Sequence, residues 1–283
     1  MMSSRPDRII NIHGHLRHDQ DIAARVKLWE EWHVEKFICL CLHPRWLSHG
    51  YFTNEDFLAI KGKYGEVMIG FAAANIVAVG GIDGPNDVER YVEQGFAGLK
   101  FLDPSYPLDH DAYFPIYERA QSLRVPIFFH TGYLAPDYET DGKYGVNSNN
   151  MRPYRFDRIA RAFPKLTIIG AHLGIPHCHE ALQMIASHPN VFADFSGGSG
   201  KKPHVRTVLS AMLPHPMLKT DMSDPQENRA LEWFKKLCFG TDNPEPSVWV
   251  PASEYIMDEL RIPEHLRRAF YYDNAAALLG LRR

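Results

Sequence analysis

No stretch of the sequence approaches the roughly 20 consecutive apolar residues that a bilayer-spanning helix needs, so no such helix is expected. The opening residues, Met1-Met2-Ser3-Ser4-Arg5-Pro6-Asp7-Arg8, bring charge at once and have no apolar core, which argues against a secretory signal. Cysteine is scarce. Only four occur in 283 residues (Cys39, Cys41, Cys178 and Cys238), and none has zinc-knuckle spacing. They read as reduced thiols packed in a cytoplasmic protein. Neither sign of charge is in excess: 31 Lys and Arg against 34 Asp and Glu leave a net charge of -3. That balance argues against a general nucleic-acid binder or a polybasic membrane binder, though not against a local patch. A small-molecule substrate is the expected partner, and a homo-oligomer is compatible with the sequence. Repeats, low-complexity tracts and linkers are missing, so residues 1–283 read as one domain.

What is present is an alternation. Short apolar runs at 8–13, 36–43, 67–75, 98–102, 126–130, 166–172, 191–195 and 237–242 are each rich in Ile, Phe, Val or Leu and bounded by Gly or Pro. Helical patterns lie between or after them, at 21–32, 54–61, 87–93, 111–123, 155–163, 180–186, 227–236, 253–260 and 264–279. Alternating β and α units imply parallel strands with helices outside. Eight such units in a chain of this length predict an α/β fold, the (β/α)8 TIM barrel. The competing open doubly wound sheet would place a Gly-rich fingerprint after the first strand. Ile12-His13-Gly14-His15 stands there instead. Two connections, 131–153 and 196–225, are long enough to act as substrate loops or lids.

Histidine is the unusual residue, with 15 copies. In a barrel, chemistry sits at the C-terminal ends of the strands. Polar, metal-competent side chains fall at that height on five of the expected strands: His13 and His15 on the first, Lys100 on the fourth, His130 on the fifth, His172 on the sixth and Asp242 on the eighth. Side chains alternate faces along a strand, so His13 and His15 should point the same way. Lys100 should point inward between Leu99 and Phe101. Gly170 beneath His172, and Cys238 and Gly240 beneath Asp242, should leave room at the centre. Taken singly, each has a plain structural explanation, a packed histidine or a capping aspartate. Packing alone gives no reason for five strands to end this way. Imidazoles with a carboxylate suit Zn, or Mn or Fe, better than Ca or Mg.

The set of segments resembles the amidohydrolase superfamily, in the amidohydrolase 2 branch that includes aminocarboxymuconate-semialdehyde decarboxylase-like enzymes. The matching pieces are Ile10-Asn11-Ile12-His13-Gly14-His15, Gly95-Phe96-Ala97-Gly98-Leu99-Lys100 and Pro126-Ile127-Phe128-Phe129-His130-Thr131-Gly132. Further along come Gly170-Ala171-His172-Leu173-Gly174, Phe239-Gly240-Thr241-Asp242-Asn243-Pro244 and the tail Asn274-Ala275-Ala276-Ala277-Leu278-Leu279-Gly280-Leu281. One departure is Asn11, where the family usually has Asp. The resemblance implies one divalent metal, held by His13, His15 and His130 with Asp242 as ligand or base. It implies His172 as the residue that polarises substrate or water. Lys100 matches a position that some subgroups carboxylate to bridge two metals; here an unmodified lysine facing a substrate carboxylate and a single ion are expected.

The expected reaction is hydrolysis of a lactone, ester or amide in a small carboxylated substrate, with Asp242 and His172 catalytic. Nonoxidative decarboxylation of a small aromatic or muconate-like acid uses the same surroundings and is the alternative. Lys100, Arg152 and Tyr133 are the candidate substrate-binding residues, with Arg45 and Trp46 after the second strand, since Arg pairs with a carboxylate through two parallel hydrogen bonds. An Arg152 that anchors its loop to a helix is the competing reading.

Overall fold

Seven of the apolar runs form one parallel sheet in the computed structural model, which describes residues 5–78, 81–134, 147–197, 202–215, 217, 219–243 and 245–281. The strands are β1 (Ile9–Gly14), β2 (Val34–Leu40), β3 (Met68–Ala73), β4 (Gly98–Phe101), β5 (Ile127–Phe129), β6 (Ile168–Gly170) and β7 (Val191–Ala193). They are hydrogen-bonded in sequence order, each parallel to the next. Helices follow in the connections: α1 (Ile22–Glu31), α2 (Asn54–Tyr64), α3 (Pro85–Glu93), α4 (Phe114–Leu123), α5 (Phe156–Ala162) and α6 (Cys178–Ser187). After β7 come α7 (Lys202–Met212), α8 (Ala230–Phe234), α9 (Pro246–Glu259), α10 (Glu264–Arg268) and α11 (Asn274–Leu278). Local chemistry starts several of them. Asp21 accepts from Ala24 N–H to cap α1. Thr53 and Asp56 exchange hydrogen bonds in a capping box on α2.

The strands are apolar on both faces because both faces are covered. Outward residues such as Phe37, Leu99, Phe101, Ile127, Phe129 and Ile168 pack on the helices. Inward residues Ile10, Ile12, Ile38, Leu40, Phe71, Phe128 and Ile169 form a second cluster, joined by Tyr272, Ala275 and Ala276 from the C-terminal helices. The chain's end therefore plugs the interior of the curled sheet.

Three departures from the sequence reading have physical causes. The expected eighth strand, 237–242, is not a regular strand. It makes isolated parallel bridges from Leu237 to Ala193 and from Asp242 to Gly14. Cys238 N–H donates to Ala193, and Ile12 N–H donates to Phe239. The segment thus lies between β7 and β1, but Phe239 N–H turns away to the Phe270 carbonyl and Asp242 is left-handed at φ 64°. The expected continuous helix 264–279 is interrupted by a π-helical turn, Ala269–Asp273, which carries that carbonyl. Finally, the long connection 196–225 contains α7. Its buried Val205, Val208, Leu209 and Met212 carry helical periodicity that was readable in the sequence. Residues 135–146, 198–201, 216 and 218, which fall in the two expected lid loops, lie outside the described residues, as do Pro244 and the side chain of Trp46. Among the described residues, no helix is long and apolar enough to cross a membrane.

Candidate metal centre

Simple alternation delivers some of the site. On β4, Leu99 and Phe101 join the outer cluster, and Lys100 lies inside with its ammonium 4.7 Å from the Phe128 ring centre. On β5, Phe128 is inner and Phe129 outer, which turns His130 inward just past the strand end.

His13 needs more. Ile10 and Ile12 are both inner residues, so strict alternation would send His13 outward among the helices. The pairing of β1 with β2 slips between Asn11 and Gly14: Asn11 faces Phe37 and Gly14 faces Cys39, three residues against two. That extra residue is a bulge, and it returns His13 to the interior. Asn11 stabilises it. Its Oδ1 accepts from the backbone N–H of His13 and of Thr241, and its Nδ2 donates to Thr241 Oγ1. Gly14 then faces outward so tightly that a Cβ there would lie 2.2 Å from the Phe37 ring.

His172 is also recovered by an irregularity. The expectation that Gly170 leaves room at the centre is corrected: its missing Cβ faces Phe156 of α5 on the outer side, at 2.9 Å. Ala171 is the inner residue. Two consecutive left-handed residues, His172 (φ 58°) and Leu173 (φ 48°), then swing the His172 ring back over the interior. Gly240 does match its expectation; a Cβ there would lie 2.8 Å from His13 Cβ.

The ring nitrogens are arranged in a consistent way. His13 Nδ1 lies 2.8 Å from Asp194 Oδ2, His15 Nδ1 2.8 Å from the Leu40 carbonyl, and His172 Nδ1 3.0 Å from the Ser196 carbonyl. Each Nδ1 faces an acceptor, which leaves Nε2 as the lone-pair nitrogen. His13 Nε2 and His15 Nε2 both sit 3.6 Å from Asp242 Oδ1. Among the described residues, His13 Nε2, His130 Nε2 and Lys100 Nζ are buried without a hydrogen-bond partner. Ligand atoms of His13, His172 and Asp242 all lie within 4.8 Å of one another. The His130 and His172 ring centres are 4.9 Å apart. Imidazoles anchored through one nitrogen, with the other unpartnered beside a carboxylate, are what a divalent metal requires, so the donor set fits such an ion.

Electrostatics follow from burial. Burial holds the His13, His15 and His130 imidazoles well below the usual histidine range, and adjacent basic groups that would repel a second positive charge reinforce the effect: Lys100 on His13, His13 on His15, and His172 on His130. His172 is pulled down to about 4, mainly by burial and against the pull of Asp194. Burial lowers Lys100 to about 8, opposed by Asp242 and Asp194. Burial lifts Asp242 to about 7, opposed by Lys100. The histidines are therefore neutral, the state in which imidazole ligates.

A cavity of about 80 Å³ opens over these groups, lined by His15, Lys100, His130, His172 and Asp242 with Tyr51 and Asn243 among the rest. The other named candidates lie apart from it. Arg152 forks onto Glu180 in the first turn of α6. Tyr133 is 57% exposed. Arg45 is bound to Asp103 Oδ2 at 2.9 Å and to the Leu102 and Asp103 carbonyls.

Sequence reasoning missed Asp194 and Ser196. Both are fully buried at the end of β7, behind His13. The signal was available: Ala193 and Phe195 are outer residues, so the intervening Asp194 must face inward.

A family model described as "Amidohydrolase" matches residues 44–281. No curated protein matches the chain. Among solved structures, a dihydroorotase from Campylobacter jejuni is 16% identical with a TM-score of 0.61, covering 98% of this chain and 85% of that one. A 2,6-dihydroxybenzoate decarboxylase from Rhizobium is 17% identical with a TM-score of 0.59, covering 94% and 90%. A 5-carboxyvanillate decarboxylase from Novosphingobium aromaticivorans with bound manganese is 16% identical with a TM-score of 0.54, covering 91% and 80%. These likenesses show the TIM-barrel type of fold.

Proposed function

The chain belongs to the amidohydrolase family, and on that premise we propose that it is a metal-dependent hydrolase opening a lactone, ester or amide bond in a small, carboxylated substrate. The observation that carries this reading is one cluster at the cavity: an aspartate facing two lone-pair imidazole nitrogens, and beside it a buried lysine with no hydrogen-bond partner among the described residues. His13 and Asp242 would hold the ion, with His15, His130 and His172 turned to the same space; Zn is the favoured ion, and Mn or Fe would suit the same donors. When bound, the metal supplies Lewis-acid polarisation of the scissile carbonyl and acidifies an attacking water.

The chain's own groups do the rest. Asp242 takes the proton of the attacking water on its carboxylate and returns it to the leaving group. Lys100 offers its ammonium to the substrate carboxylate, since among the described residues no group hydrogen-bonds to it. His172 gives Nδ1 to the Ser196 carbonyl and so presents a fixed Nε2 toward the pocket. Phe128 beneath Lys100 and the small cavity limit substrate to a compact molecule.

The test is a product assay on metal-loaded protein with a lactone and ester panel beside a panel of aromatic carboxylic acids. Ring or ester opening without gas release supports the proposal. Release of carbon dioxide from the second panel, with no opening in the first, replaces it with decarboxylation of a small aromatic or muconate-like acid.

A further inference from the structure

We infer that Asp194 is a positioning residue that sets the tautomer of His13 and thereby makes its Nε2 a metal donor. The inference rests on the reading of His13 as a metal ligand, and it concerns a residue that the site's own chemistry does not otherwise use.

Asp194 is fully buried and its carboxyl group accepts four hydrogen bonds. They divide unequally. Oδ1 takes three donors: Ser196 N–H at 2.7 Å, Ser196 Oγ–H at 2.6 Å and His172 N–H at 3.2 Å. Among the described residues, Oδ2 faces only His13 Nδ1, at 2.8 Å. Among the described residues, the other polar atom bonded near His13 Nδ1 is Ser196 Oγ, at 3.1 Å, and its single proton is committed to Asp194 Oδ1. His13 Nδ1 is therefore surrounded by acceptors and must carry the ring proton. His13 Nε2 keeps its lone pair, 3.6 Å from Asp242 Oδ1. The same carboxyl group anchors the backbone of His172 where the chain turns left-handed. One side chain just past the end of β7 thus registers two donors that come from β1 and from the end of β6.

This division makes Asp194→Asn informative. The three donors at the Oδ1 position require an acceptor, so the amide oxygen must settle there. The amide NH₂ then occupies the Oδ2 position and donates to His13 Nδ1. His13 is forced to protonate at Nε2, where the proton blocks ligation, with no change in side-chain volume.

The experiment uses the full chain with ¹⁵N-labelled histidine, stripped of metal, at pH 8. Long-range ¹H–¹⁵N correlation reads the tautomer, and a His13→Gln variant identifies the His13 signal. Zn²⁺ affinity is measured separately by competition with a chromophoric chelator. The wild type is expected to show His13 protonated at Nδ1. Asp194→Asn is expected to switch it to Nε2 and to weaken Zn²⁺ binding by about 10–100-fold. Ser196→Ala, which removes the hydroxyl but keeps the carboxylate, should leave the Nδ1 tautomer in place. A wild-type His13 protonated at Nε2 overturns the inference whether or not any variant folds. So does an Asp194→Asn protein that keeps the Nδ1 tautomer or binds Zn²⁺ as tightly as wild type, or a Ser196→Ala protein whose tautomer switches. A wild type with the Nδ1 tautomer that binds neither Zn²⁺ nor Mn²⁺ instead overturns the metal reading itself, so the two failures are told apart.

Discussion

Replacing Gly240 with alanine adds one methyl carbon at the most crowded point of the candidate site. The new Cβ would lie 2.8 Å from His13 Cβ, 3.2 Å from Asp194 Cγ and 3.3 Å from Asp194 Cβ, where ordinary contact begins at about 3.4 Å. Neither neighbour can swing aside. His13 and Asp194 are fully buried and hydrogen-bonded to each other, and His13 stands on a strand bulge held by Asn11. The clash must be met by moving β1 against segment 237–242 by several tenths of an ångström. Overpacking of this kind costs about 1–3 kcal/mol. A metal site tolerates only about 0.5 Å of displacement in its ligands, so Zn²⁺ affinity should fall at least about tenfold. Urea unfolding of the metal-free protein isolates the packing cost, and chelator competition reads the affinity. The control is Gly62→Ala in α2, where an added Cβ meets nothing within 4 Å and the helical backbone favours alanine. That change should stabilise by about 0.4–1 kcal/mol. A Gly240→Ala protein with wild-type stability and wild-type Zn²⁺ affinity would refute the placement of Gly240 against His13.

Changing His13 and His15 together to alanine should strip the metal, read by elemental analysis of the purified protein; full metal content would sink the ligand assignment. Asp242→Asn should lower turnover by about 10²-fold or more while the circular dichroism spectrum stays native, and near-native turnover would remove Asp242 from proton transfer. Lys100→Ala should keep its metal and raise KM for acidic substrates, whereas a metal content that halves and recovers with a short carboxylate would show a bridging, carboxylated lysine. Away from the site, burial lifts Asp103 from its ordinary value to about 6, against the pull of Arg45. The folded state then binds more protons than the unfolded one between about pH 4 and 6, so this group's contribution to stability falls as pH rises through that window. Measured against Asp103→Asn, the wild type should lose at most about 3 kcal/mol between those limits; a difference of opposite sign would refute the burial argument.

Much of the protein is determined by short-range pattern. Apolar runs bounded by Gly and Pro, separated by amphipathic stretches, place the seven strands and most helices within a few residues. Pattern of this kind reflects what each segment must bury, which composition records locally. Two-residue alternation is equally local, and it turns Lys100 and His130 inward; applied to Ala193-Asp194-Phe195 it would also have found Asp194. The rest of the site depends on long-range pairing. His13 faces the interior only because β1 slips a residue against β2 while Asn11 binds Thr241, 230 positions away. His172 does so only through a left-handed turn held by Asp194, just past the end of β7. Segment 237–242 carries a strand's composition, yet it forms bridges instead of a strand. Its backbone is shared among β7, β1 and the π-helical turn, and Phe239 N–H is bound by the Phe270 carbonyl. Alternation along one strand specifies a face only while the ladder is regular. Where two neighbours compete for one segment, tertiary structure decides which side chains meet.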